Sequence, residues 1–215
     1  MSDLAKNNNG SGTNGGANAA NETTGLSAAE LYRRGRALCF GVYGVKIDKR
    51  RGVAILEAAV EAGKASDASE ETRAAALDAQ AEFAEALFDG RQGAKKNERR
   101  GVELAEKPAK AGNPFALDTL GACFRDGLGG LPKDEAKARA CFARAFEGFK
   151  RMSEEPNPDA RALCYLGCYL GDGRGAADGK PNASPEVAAE TFRLWLRSAE
   201  LGFATAAWNV ATAYL

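Results

Sequence analysis

The sequence predicts an all-α fold, an α/α solenoid of about four and a half helix pairs. Three observations predict it. Residues 115–150, FALDTLGACFRDGLGGLPKDEAKARACFARAFEGFK, read as a helix, a glycine-rich turn and a second helix. That pattern returns along the chain with variations. Glycines that mark helix ends, Gly63, Gly112, Gly148 and Gly202, fall at intervals of 49, 36 and 54 residues. The middle interval is the bare unit. The others are the unit with insertions at about 64–75, 151–158 and 176–183. One helix pair cannot bury both its apolar faces, so it must stack on copies of itself.

In the central unit Ala116, Leu120, Gly121 and Phe124 share one helical face. The segment DGLGGLPKD breaks the period. Gly127, Gly129 and Gly130 supply the positive φ that ends a helix, and Pro132 bars its continuation. Asp134 is a good N-cap for the second helix, whose stripe is Ala138, Cys141, Phe142 and Ala145. That helix is expected to run past Gly148 until Pro156 and Pro158 stop it.

The other units follow in order. Residues 1–26 form an Asn- and Gly-rich tail with little to bury, expected to be disordered. The solenoid spans 27–215, with pairs at about 27–63, 70–112, 115–150 and 159–202 and a final helix at 203–215. Ser27 and Glu30 make a capping box, and Asp48 caps the second helix, with its stripe of Ile55, Leu56, Ala59 and Val60. Asp67 or Ser69 starts the third helix. The fourth carries Pro108, which removes an amide donor and crowds the Leu104 carbonyl, so a kink or early stop is expected. Ser184-Pro185-Glu186 is a strong start for the penultimate helix.

Composition narrows the function. The 215 residues carry 29 basic and 29 acidic side chains, so no net basic field draws nucleic acid. No apolar run is long enough to insert in a membrane. The N-terminus lacks a basic region followed by an apolar one, which points to a cytoplasmic location. The absence of histidine removes the commonest general base and the HExxH zinc site. Cys39, Cys123, Cys141, Cys164 and Cys168 are odd in number and lack CxxC spacing, so they read as small buried hydrophobes. No metal and no cofactor is expected.

The unit resembles the Sel-one-like repeat, a relative of the tetratricopeptide repeat, with the pattern A-x3-LG-x2-Y-x2-G-x-G, then D-x2-KA-x2-W-x3-AA-x2-G. The third pair matches through Ala116, Leu120, Gly121, Phe124, Gly127, Gly129, Asp134, Lys137, Ala138 and Ala145. The fourth matches through Ala162, Leu166, Gly167, Leu170, Gly173, Gly175, Ala199 and Gly202. Gly52 and Gly101 depart from it in place of the KA alanine, Ala84 and Ala211 in place of the close-packing glycine, and Pro108 in place of the first alanine of AA. The resemblance implies a right-handed superhelix and an adaptor that holds peptides or proteins. The cysteines do not recur in the pattern of the family's disulfide-stapled members.

The resemblance also implies that the first helix of each pair lines a concave groove. Carried over, the groove residues are Tyr32, Arg36, Glu85, Asp89, Asp118, Arg125, Asp126, Arg161, Asp172 and Trp208, with Tyr32 and Trp208 foremost. Aromatics mixed with both charge signs suit a protein or peptide segment that carries its own charges. The plain alternative is a row of solvated helix charges. Cys164 and Cys168 lie one turn apart, with Cβ atoms about 5–6 Å apart. That is too far for the ~3.8 Å of a comfortable disulfide. With Asp172 a turn further on they admit a redox or metal role, against a packing role. The expected function is a non-enzymatic interaction scaffold. The alternatives are a regulatory repeat segment of a larger signalling or quality-control protein, and a hydrolase using groove carboxylates or a thiol.

Overall fold

The structure, a computed structural model, describes residues 23–90, 93–176, 179–181 and 184–214. Among them are nine α-helices and no strand. These are α1 (Ala28–Phe40), α2 (Lys49–Ala62), α3 (Glu70–Asp89), α4 (Glu98–Lys110), α5 (Pro114–Asp126), α6 (Glu135–Glu154), α7 (Ala160–Asp172), α8 (Pro185–Glu200) and α9 (Ala204–Thr212).

Local chemistry starts the helices. Ser27, Asp48, Ser69, Asn97, Asn113, Asp134, Asp159 and Ser184 each accept a backbone N–H with the side chain at the N-cap of α1 to α8. Ser27 and Glu30 form the expected reciprocal box. The two kinds of helix end differently. The first helices α1, α3, α5 and α7 stop at Gly41, Gly90, Gly127 and Gly173, each left-handed, with its N–H on the carbonyl four residues back. Of the glycines read as ends of second helices, Gly63 caps α2 with an ordinary φ of −73°. Gly148 lies buried inside α6, which runs on to Glu154. Pro108 does not stop α4 early. It sits in the last turn, buried, and the helix continues to Lys110, the repeat's usual end.

The expected disordered tail over 1–22 lies outside the described residues. Thr24 and Gly25 form a turn, and Leu26 packs on the cluster that contains Leu31. This is the geometry of a hydrophobic staple around the Ser27 cap.

The helices form two rows. Each packs on the next in sequence, α3 also packs on both α1 and α5, and α7 packs on α9. The first helices therefore make the inner row and α2, α4, α6 and α8 the outer one. One core joins α3 to α8 through residues such as Leu117, Phe149, Leu163 and Leu194. The other joins α1 and α2 to Cys164, Phe203 and Ala206 at the far end of the chain. Phe40 and Phe203 meet edge to face with centroids 6.4 Å apart. The inner row thus curls until its first helix touches its last.

Candidate functional site

That curl decides what the inner face can do. Arg161, near the start of α7, is 1 % exposed. Its guanidinium lies between the rings of Phe40 from α1 and Phe115 from α5, 4.3 Å from each centroid. It donates to the carboxylates of Glu82 and Glu85 on α3. The Tyr165 hydroxyl, one turn along α7, donates to Glu85 at 3.2 Å. Arg36 of α1 pairs with Glu82 at 3.3 Å and with Asp159, the N-cap of α7. Four inner helices are joined by this cluster.

Two guanidinium cations and three carboxylates share the site. Burial pushes the Glu82 carboxyl up, against the pull of Arg161 and Arg36. Burial also works against the Arg161 charge, which Glu82 and Glu85 hold in place. Asp159 is pushed up by burial but pulled down further by Arg36 and the Ala162 N–H, so it stays below the usual range.

A second group follows towards the C-terminal ends of α5 and α7. The Tyr169 hydroxyl donates to Asp118 at 2.5 Å, and Arg174 reaches Asp118 at 2.8 Å and Asp172 at 2.7 Å. Burial pushes the Asp118 carboxyl up despite Arg174. Arg174 covers the Tyr169 ring at 4.3 Å. The Phe142 ring has Arg174 on one approach and Arg125 on another, each 5.9 Å from its centroid.

The ten residues assigned to the groove therefore divide. Arg36 and Arg161 are buried, and Tyr32, Glu85 and Asp118 are partly covered with them. A bound segment cannot rest on Arg161. Arg125, Asp126 and Asp172 stay exposed, the first two as a two-bond pair at the end of α5. Trp208 is 70 % exposed. In repeat register it occupies the position of Cys164 in α7, which Asn209 of α9 covers. Asp89 closes α3, and its side chain lies outside the described residues.

Sequence reasoning missed Glu82, Asp159, Tyr165 and Arg174. One signal pointed to Arg161: it is the lone basic residue in the otherwise apolar run ARALCYLGCYL. The outer face has an opening of its own. A cleft of about 630 Å³ separates α6 from α8, floored by Phe146, Leu166, Leu170 and Leu194. Among the described residues no cluster of three metal-ligating side chains occurs, and no helix is long and apolar enough to cross a membrane.

The Sel1 repeat pattern matches this chain at residues 31–64, 77–113 and 115–148. Those three matches coincide with the first three helix pairs. The chain is similar to the crystal structure of a Sel1 repeat protein from Oxalobacter formigenes, at 19 % identity and a TM-score of 0.44, covering 84 % of this chain and 75 % of the other. It is also similar to a protective antigen of uropathogenic Escherichia coli strains displaying an SLR fold, at 19 % identity and a TM-score of 0.39. That likeness covers 92 % of this chain and half of the antigen's. No curated protein sequence matches the chain.

Proposed function

This chain belongs to the Sel1 repeat family, and from that premise we propose that it is a non-enzymatic, cytoplasmic scaffold that docks a segment of a partner protein. The docking surface is the open end of the inner row: Arg125 and Asp126 at the end of α5, Asp172 and Arg174 at the end of α7, and Trp208 on α9. One observation carries this placement. Ion pairs and stacked aromatics fill the row between α1 and α7, whereas these five residues keep charge of both signs and a large aromatic in reach of solvent. Trp and Arg are the side chains that most often anchor such contacts. A segment with one apolar residue flanked by both charge signs fits the surface.

Two further points support a scaffold over an enzyme. The chain has no histidine. Its inner carboxylates Glu82, Glu85, Asp118 and Asp159 are held by arginines, which leaves none of them free to carry a proton to and from a substrate.

The test is affinity capture from native lysate, with mass spectrometry of what is retained. Wild type is run beside Arg125→Ala/Asp126→Ala/Asp172→Ala/Trp208→Ala, with circular dichroism as the check on folding. A partner held by the wild type and lost by the folded variant supports the placement. A folded variant that retains the same partner moves the site to the α6–α8 cleft or elsewhere.

A further inference from the structure

Five cysteines are free in this structure, and two of them differ from the rest. Cys39 and Cys123 are buried among apolar side chains, which pushes each thiol up to about 12. Burial also pushes Cys141 up. Cys164 and Cys168 instead sit where three helices meet, under N–H donors. The amide Nδ2 of Asn209 on α9 reaches both sulfurs, Cys164 at 3.5 Å and Cys168 at 3.8 Å. The indole Nε1 of Trp195 on α8 is buried without a hydrogen-bond partner. It presses on α7 so closely that a Cβ at Gly167 would lie 2.7 Å from it.

The site thus holds more donors than its neutral form can use. A thiol is a weak acceptor and a thiolate a strong one. A buried indole N–H left unpaired is costly, and a negative charge beside it removes that cost. Two sulfurs sharing a single proton suit these donors better: Cys164 keeps its S–H and gives it to Cys168. Cys168 is the half-exposed member of the pair, so its sulfur is the one a reagent can approach.

We propose that Cys168 is the modification site of this protein, a thiolate held by the Cys164 S–H, the Asn209 amide and the Trp195 indole, which hydroperoxides oxidise. The sulfur attacks the terminal oxygen of the hydroperoxide. An S–O bond forms and the O–O bond breaks. Sulfur loses two electrons to give the sulfenic acid, the OH passes to sulfur, and the alkoxide (hydroxide, for hydrogen peroxide) leaves and takes a proton from water. Cys164 does not then close a disulfide within the intact helix, because partners one turn apart hold their Cβ atoms about 5–6 Å apart, beyond the ~3.8 Å that a disulfide prefers.

The charges around the pair agree with this. The Cys164 hydrogen bond lowers the Cys168 thiol, to about 7, against its burial. Arg174 favours the thiolate and Asp172 opposes it. The donors from α8 and α9 are neutral. Cys164 itself is pushed up, first by its bond to Cys168 and then by burial.

The experiment uses the full chain. Each cysteine's alkylation by iodoacetamide is followed across pH 5–10 by peptide mass spectrometry, and sulfenic acid is trapped with dimedone after hydrogen peroxide. Cys168 is expected to label with a midpoint below pH 8 and to be the dimedone adduct. Asn209→Ala and Cys164→Ala each remove one donor to a charged group and should raise that midpoint by about one pH unit. Cys164→Ser, which keeps a donor, should raise it less. The absolute rate is a poorer guide, because nucleophilicity falls along with thiol pKa. A Cys168 midpoint at about 8.5, the value of an unperturbed thiol, overturns the proposal. So does labelling of Cys164 in its place, absence of labelling at every pH, or a midpoint unmoved in folded Asn209→Ala.

Discussion

Arg161 of α7 donates to Glu82 of α3, and both side chains are 1 % exposed. A pair this deep is paired because neither partner can be buried alone. Arg161→Met leaves Glu85 without its cation and Glu82 with Arg36 alone, and Glu82→Leu leaves Arg161 short of an acceptor. Each is expected to cost about 3–5 kcal/mol in urea unfolding. The double variant should lose clearly less than the sum, with the coupling read from a double-mutant cycle. Arg161→Lys should not rescue, since an ammonium cannot reach two carboxylates while lying flat between Phe40 and Phe115. Additive losses would show that the pair is not a unit.

The carboxylates around Arg161 and Arg174 should respond to acid with opposite signs. Asp159 is held below its ordinary range, so the unfolded chain binds the proton more readily there. Its stabilisation is complete above about pH 4 and is lost as pH falls through the folded value. Asp118 is raised by burial, so the folded chain binds that proton more readily. Its favourable contribution exists at low pH and is lost as pH rises through the raised value. Urea midpoints measured from pH 2.5 to 7 should therefore show a flatter acid slope for Asp159→Asn and a steeper one for Asp118→Asn. Equal slopes in the two variants would contradict both assignments.

The helices were legible because their signals are local. The Ser27 box, the Asp48, Asp134 and Ser184 caps and the left-handed Gly127 each act within a few residues. The interior was not legible in the same way. Whether Arg161 faces a groove or Glu82 depends on how far several stacked pairs have turned, and each inserted residue changes that turn. The repeat pattern assigned Arg36, Glu85, Asp118 and Arg161 to the first helices of their pairs, the helices that make the inner row. It carried no information that this row closes on itself. The contact between Phe40 and Phe203 is of that kind: no spacing in the sequence announces it.

Gly52 offers a test of the closeness of α1 and α2. The repeat pattern has alanine there, and alanine favours a helix by roughly 0.5–1 kcal/mol over glycine. Yet a Cβ on Gly52 would lie 2.8 Å from the Gly35 carbonyl oxygen and 2.6 Å from the Cys39 sulfur. Gly101 meets the Ala84 carbonyl in the same way at 2.9 Å. Backbone cannot swing aside as a side chain can. Gly52→Ala, although it restores the pattern, is expected to destabilise by about 1–3 kcal/mol. A gain in thermal midpoint would mean that the two helices are free to part.

Asn113 joins capping to tertiary structure. Its Oδ1 accepts the N–H groups of Phe115 and Ala116, while its Nδ2 donates to Asp78 of α3 at 2.9 Å. Aspartate is as good an N-cap, so Asn113→Asp keeps the cap and replaces only the donor. The new carboxylate faces Asp78, whose own carboxyl burial already pushes up, against the Asn113 bond that pulls it down. The variant should lose about 1.5–3 kcal/mol at pH 7, the value of a hydrogen bond to a charged group. The repelling pair raises the folded-state affinity for one proton, so stability should return as pH falls through that raised value and a shared proton restores the bond. Asn113→Ala loses cap and bridge together and should stay destabilised at both pH 7 and pH 4.5. Chemical denaturation of the two variants at those pH values separates the roles: recovery by Asn113→Asp alone identifies the bridge, and equal losses at both pH values would leave Asn113 as a cap and nothing more.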